Sequence, residues 1–267
     1  MGVGYRREGD VALLELAHPP VNAFNLDTRR ALVDAFTRLR TEPEIAAIVI
    51  VGSGRGFSAG GDRREFGRPE ASLRPTLSRD VLTAIATCDK PVVAAMHGFA
   101  VGGGLEFALA CHARVAVANT QIGLPEVGLG RFPLSGSQRL PRLVGLECAA
   151  EWMMTGCMSV ASDRQVAPIF DLLVADTEAL MPAALECART ACRVAPVLVD
   201  DRPFLENDPV AVLEVIEARY PAEQRSAAQH ALLRALRAGV LATNFTTGLQ
   251  QAQRLFDELV AESGSTQ

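Results

Sequence analysis

The sequence predicts an α/β fold in which buried parallel strands alternate with helices, followed by a helical C-terminal region. Three observations point there. Ile45 to Val51 (IAAIVIV) and the VVAAM run that Pro91 opens are short and apolar, as strands buried on both faces are. A glycine-rich stretch follows each run: GSGRGFSAGGD at 52–62, then VGGG at 101–104. Beyond Glu147 the pattern turns to polar-faced helical segments.

In chain order, Val3 to Arg7 and Val11 to Ala17 read as two strands joined at Gly9-Asp10. Asn25 or Asp27 can cap a helix reaching Arg40, with Leu32, Phe36 and Leu39 on its apolar face. A helix between strands implies a parallel crossover. Residues 66–75 (FGRPEASLRP) read as a mobile polar loop, and Leu77 to Cys88 as a helix. Arg114 to Ala118 is a third strand. Residues 121–145 read as a loop and then a helix capped by Ser135 or Ser137. Further helices are expected at 147–155, 177–193, 208–218, 222–238 and 247–262, with a surface linker at 196–209. The resulting division is a core over 1–195 and a helical region over 196–267.

At 267 residues and 49% apolar, the chain can bury a large core. A net charge of −5 with dispersed basic residues argues against nucleic acid as a partner. No apolar run approaches the ~18 residues of a membrane span, and the N-terminus lacks a signal-peptide core. Six cysteines without CxxC spacing suggest reduced thiols, buried as small hydrophobes, in a cytoplasm. The four histidines form no ligand-like cluster, so no metal is expected. His97 reads as a strand-end hydrogen-bonding residue and Trp152 as packing.

The chemistry concentrates in HGFAVGGGLEFALAC, residues 97–111. Gly102, Gly103 and Gly104 allow close backbone approach and offer free amides at a helix start. Glu106 is a lone charge in an apolar run, which needs a partner or a task. Packing glycines and a first-turn glutamate favoured by the helix dipole would explain the same pattern. No GxGxxG and no GK[ST] is present, so the glycine loops do not read as dinucleotide or phosphate motifs.

GRGFSAGGDRREF, KPVVAAMHGFAVGGGLEFALACHARVAVANTQIGLPEVGLG and SQRLPRLVG, in that order, resemble the crotonase (enoyl-CoA hydratase/isomerase) superfamily. The similarity is greatest to the hydratase/isomerase portion of bifunctional β-oxidation enzymes. It implies a β/β/α spiral core with a helical C-terminal region and acyl-CoA thioesters as substrates, with no separate cofactor. On the matching motifs, Gly61 and Gly103 fall where the family places its oxyanion-hole amides. Glu106 and Glu126 match its two catalytic glutamates. Asn22, Ala23, Ala59, Gly60, Asp62, Arg63 and Gly102 lie where it contacts CoA or substrate, and Pro133 and Leu134 where its loop borders the catalytic water. Asp62 is also expected to cap a helix that orders the oxyanion loop.

The resemblance implies an enoyl-CoA hydratase. A Δ3,Δ2-enoyl-CoA isomerase and a catalytically weak acyl-CoA-binding or complex-forming protein are the alternatives. It further suggests a homotrimer or dimer of trimers, and allows a separate 3-hydroxyacyl-CoA dehydrogenase partner. Two departures stand out. GLGRFPLSGSQRL replaces the usual GLLPGAGGTQRL, placing Arg131-Phe132 before Pro133 and Leu134 where glycine is usual. Pro168 and Phe170 stand where small residues are expected.

Overall fold

The computed structural model describes residues 2–68, 73–193 and 197–264. Strands β1 (Val3–Glu8) and β2 (Val11–Leu16) are followed by α1 (Leu26–Arg40) and β3 (Ala47–Gly52). A π-helical turn (Leu77–Val81) runs into α2 (Leu82–Ala86), and then come β4 (Val92–Met96), β5 (Phe99–Val101), α3 (Gly103–Ala110), β6 (Ala113–Val117) and β7 (Gln121–Gly123). A 3-10 turn (Glu126–Leu129) precedes α4 (Gly136–Arg139), α5 (Pro141–Val144), α6 (Leu146–Thr155) and β8 (Met158–Val160). After a 3-10 turn (Ala167–Ile169), β9 (Leu172–Val174) leads to α7 (Thr177–Ala191). The chain ends in α8 (Pro209–Arg219), α9 (Ala227–Leu241) and α10 (Phe245–Gly264).

The chain clusters into two units, one of Met1–Ile122 with Ser159–Leu198 and one of Gly123–Met158 with Val199–Gln267. Gly123–Met158 therefore groups with the C-terminal helices.

In the first unit a six-stranded sheet has the order β1-β2-β3-β4-β6-β9. The β1–β2 hairpin is antiparallel, turning at Gly9 with φ +66°, and every later pairing is parallel. Parallel pairing follows from the crossover connections, which return the chain to the same end of the sheet before each new strand. Asn25 caps α1 by accepting from the Thr28 amide at 2.9 Å, while Leu32, Phe36 and Leu39 are buried. On the sheet, Val49, Val93 and Val115 form one apolar cluster with Leu180, Ala184 and Ala188 of α7. A smaller sheet has the order β5-β7-β8.

Several local expectations change. The 77–88 segment is a π-turn followed by a short helix, not one α-helix. β5, β7, β8 and β9 are strands of three residues each, too short to show a period. The helix expected at 222 begins at Ala227, where Ser226 and Gln229 form a reciprocal capping box. Of the expected 66–75 loop, residues 69–72 lie outside the described residues, and so does residue 196 of the expected linker.

The linker itself carries structure. In the second unit Asp200 accepts from Arg139 at 2.6 and 2.8 Å, although Arg139 is 2% exposed. Arg142 packs over the rings of Phe204 and Phe245, and burial lowers its pKa to about 10. Gln138 donates to the Ala235 carbonyl at 2.9 Å, tying α4 to α9.

Candidate active site

The loop after β3 is held by its own backbone and by Asn22. The Asn22 side chain donates to the carbonyls of Ser53 and Gly56, both at 2.9 Å, and accepts from the His18 amide at 3.1 Å. Asn22 is buried with φ +52°, a conformation asparagine tolerates better than most residues. Ser58 extends the network. Its hydroxyl donates to the Asn22 carbonyl at 2.7 Å and accepts from the Gly60 amide at 3.0 Å. Ala59 donates to Val21 and Phe24 donates to Gly60, which places Ala23 beside the glycine loop. Ser58 was not among the sequence candidates. Its signal was a small polar residue within an apolar and glycine-rich run.

The triglycine segment lies against this loop. Gly102, with φ +55°, occupies the N-cap position of α3 and leaves it without a capping side chain. The Gly103 amide is then among the first-turn donors that have no acceptor within the helix. A Cβ built on Gly103 would lie 3.4 Å from both Gly60 Cα and Gly61 N, so the two glycine backbones are immediate neighbours. Gly60 has φ +86°, and a Cβ there would come 2.6 Å from the Gly103 amide nitrogen. At Gly60, neither a side chain nor an ordinary backbone conformation fits.

Every residue of α3 is buried. Phe107 stacks on Phe24 at 5.2 Å between centroids and tilts against Phe57 at 6.0 Å, fixing the helix against both loops. Glu106 sits on its first turn, 8% exposed, with its amide bonded to the Gly102 carbonyl at 3.0 Å. In the first unit Asn22 and Ala23 thus lie beside Ala59 and Gly60, Gly60 and Gly61 lie against Gly103, and Glu106 stands on the helix that Gly102 opens.

Asp62 does not cap a helix, because residues 63–67 form turns. Its Oδ1 accepts from the Arg64 amide at 3.0 Å, and its carboxylate pairs with the Arg64 guanidinium at 2.7 Å. The hydrogen bond from Arg64 holds the carboxyl below its usual range. His18 lies 3.8 Å from the same carboxylate. Arg63 is exposed. An ion pair between buried Arg29 and partly buried Glu65 supplies the order that a helix would have given. Arg29 reaches Glu65 at 2.7 Å and the Phe24 carbonyl at 2.9 Å, and Glu65 accepts from the Leu26 amide at 2.8 Å.

Glu126 belongs to the second unit. It opens the 3-10 turn after Pro125 and is half-buried. The turn closes at Gly130 with φ +70°, and the Arg131 amide donates to the Glu126 carbonyl at 3.0 Å. Pro133 and Leu134 follow, both buried, and Leu134 accepts from the Ser137 hydroxyl at 2.7 Å. Ser135 stands at the start of α4 but makes no side-chain cap, since its backbone is already helical.

Elsewhere, His97 bonds the Gly54 carbonyl at 3.1 Å and Trp152 is buried. Cys88 and Cys111 are buried, whereas Cys157 and Cys192 are exposed, contrary to the expectation for all six. Among the described residues, no His, Cys, Asp and Glu side chains group as a metal site, and no helix is long and apolar enough to cross a membrane.

The family model described as enoyl-CoA hydratase/isomerase matches residues 6–200. A probable enoyl-CoA hydratase of Bacillus subtilis is 40% identical over 151 residues, covering 55% of this chain and 58% of its own length. The human peroxisomal bifunctional enzyme is 35% identical over 260 residues, covering 94% of this chain and 35% of its own length. The chain spans less than two thirds of the length of these relatives. The crystal structure of enoyl-CoA hydratase from Bacillus anthracis superposes with a TM-score of 0.67 at 25% identity, covering 98% of this chain and 92% of that one. With a parallel-sheet core, helical C-terminal region and these matches, the chain belongs to the enoyl-CoA hydratase/isomerase family, the crotonase superfamily.

Proposed function

We propose that this chain adds water to 2-enoyl-CoA thioesters. The observation that carries the reading is the crossing of the two glycine backbones, Gly61 N beside Gly103, next to the buried helix of Glu106. Two amides that aim at one thioester oxygen stabilise the enolate formed when water attacks C3, and losing one such donor typically costs ~3–4 kcal/mol. The water oxygen bonds to C3, one of its protons ends on C2, and the carbonyl re-forms. The thioester supplies its own electron sink, so no cofactor is assigned.

In this proposal Glu106 holds and activates the water, and Glu126 is the acid/base at C2. Each proton transfer contributes ~10²–10⁴ in rate. The motif matches GGGLE and LPEV support both roles. Asn22, Ala23, residues 59–63 and Gly102 would contact CoA or substrate, and Pro133 and Leu134 would border the catalytic water. The motif resemblance to bifunctional β-oxidation enzymes supports fatty-acyl thioesters as the substrate class and a separate 3-hydroxyacyl-CoA dehydrogenase as a partner. A homotrimer or dimer of trimers is the assembly we propose.

The test is steady-state hydration of short and medium 2-enoyl-CoA, followed by loss of ultraviolet absorbance. Wild type should turn over, and Glu126→Gln and Glu106→Gln should each lose at least ~100-fold in kcat. Near-native hydration by either variant overturns its assignment. Turnover of a 3-enoyl-CoA instead would indicate isomerisation, and tight binding without turnover an acyl-CoA-binding protein.

A further inference from the structure

Arg131 and Phe132, the residues that depart from the usual family loop, both meet one residue of the last helix. The Phe132 ring, 1% exposed, packs edge-to-face on Phe256 of α10 with centroids 5.5 Å apart and planes at 74°. The Arg131 guanidinium lies over the same ring, 6.0 Å from its centroid. Burial pushes the Arg131 pKa down, as expected for a guanidinium drawn out of water. Phe256 is therefore engaged by both residues that follow the Glu126 turn.

The middle of the turn faces solvent, and its two ends rest on neighbours. Gly128, Leu129 and Gly130 are exposed. At its start Pro125 and Val127 rest against Gly156, where an added Cβ would lie 3.2 Å from Pro125 Cα and 3.4 Å from Val127 Cγ2. At its end the Arg131 amide is bonded to the Glu126 carbonyl at 3.0 Å. We propose that Phe256 is a positioning residue for Glu126: its ring clamps Arg131 and Phe132, and so fixes the end of the turn that orients the carboxylate. This rests on the reading of Glu126 as the acid/base.

The test compares Phe256→Ala and Phe256→Tyr in the full chain, alone and with Glu126→Gln. Hydrogen exchange of the 126–134 segment reads the clamp without substrate. It should quicken in F256A and return to wild-type rates in F256Y, which keeps the ring. Hydration should show kcat lowered roughly 10- to 100-fold in F256A with KM little changed, the scale expected for a misplaced catalytic group. F256Y should restore it, and F256A should add no further loss in the E126Q background. Unchanged exchange in folded F256A overturns the clamp, and so does F256Y that fails to rescue. Faster exchange with unchanged kcat, or losses that multiply in the double variant, overturns the positioning role. Inactive wild type overturns the hydratase reading and the positioning role with it, while exchange still decides whether Phe256 holds the loop.

Discussion

Gly104 faces the Ser58 carbonyl so closely that a Cβ at residue 104 would sit 2.2 Å from that oxygen. The obstacle is backbone of the loop that leads to Gly61, so relief requires the two glycine segments to separate. Gly104→Ala should destabilise the fold by ~1–3 kcal/mol and slow hydration. At Gly103 the nearest obstacle is the Leu77 Cδ2 methyl at 2.7 Å, the end of a flexible side chain. Gly103→Ala should unfold at nearly the wild-type urea midpoint. Equal midpoints for all three proteins would show that the segments are not tightly apposed.

Asn22 makes three side-chain hydrogen bonds from a left-handed backbone. Asn22→Ala should cost ~1–3 kcal/mol, because buried backbone groups lose their partners. Asn22→Gly loses the same bonds but accepts the positive φ, so its denaturation midpoint should fall between those of wild type and N22A.

The Asp62 carboxyl titrates below its ordinary value of 3.8 because Arg64 bonds its charged form. The unfolded chain therefore binds more protons in acid. The stabilisation is complete above about pH 4 and is lost as pH falls through the lower folded value. Melting temperatures of wild type and Asp62→Asn, measured from pH 7 to pH 2, should differ at neutrality and converge in acid. A constant gap would mean that the carboxylate charge is irrelevant.

Arg139 is buried with Asp200 as its carboxylate partner. Asp200→Ala should cost ~3–5 kcal/mol by leaving that charge uncompensated. Combining it with Arg139→Met should recover part of the loss, which urea denaturation would show.

The strands Ala47–Gly52 and Val92–Met96 were legible because burial on both faces demands unbroken apolar sequence. The first helix was legible because Asn25 and its apolar spacing agree. β9 was not, since its three residues show no period and owe their place to β6 and to the Asp171 bond with the Arg114 amide. The Asp200 contact was equally hidden, because a charged residue in a polar stretch does not announce a buried partner far back in the chain. At the candidate site, the glycines and Glu106 marked themselves through an unusual apolar context, whereas Glu126 stood out only through the family resemblance. Ser58 and Phe256 did not, because a hydroxyl or a ring acquires its meaning only from what folds against it.

The second unit is assembled from two separated stretches of chain, Gly123–Met158 and Val199–Gln267. On the ribosome, α4 emerges carrying Arg139 well before Asp200 has been made, and Gln138 must wait longer for α9. Until Val199–Gln267 has been made, the early half of this unit holds Arg139 and Gln138 without these partners. No single cut in the gene releases the unit whole, and a chain truncated before residue 199 would leave that buried guanidinium without its counterion.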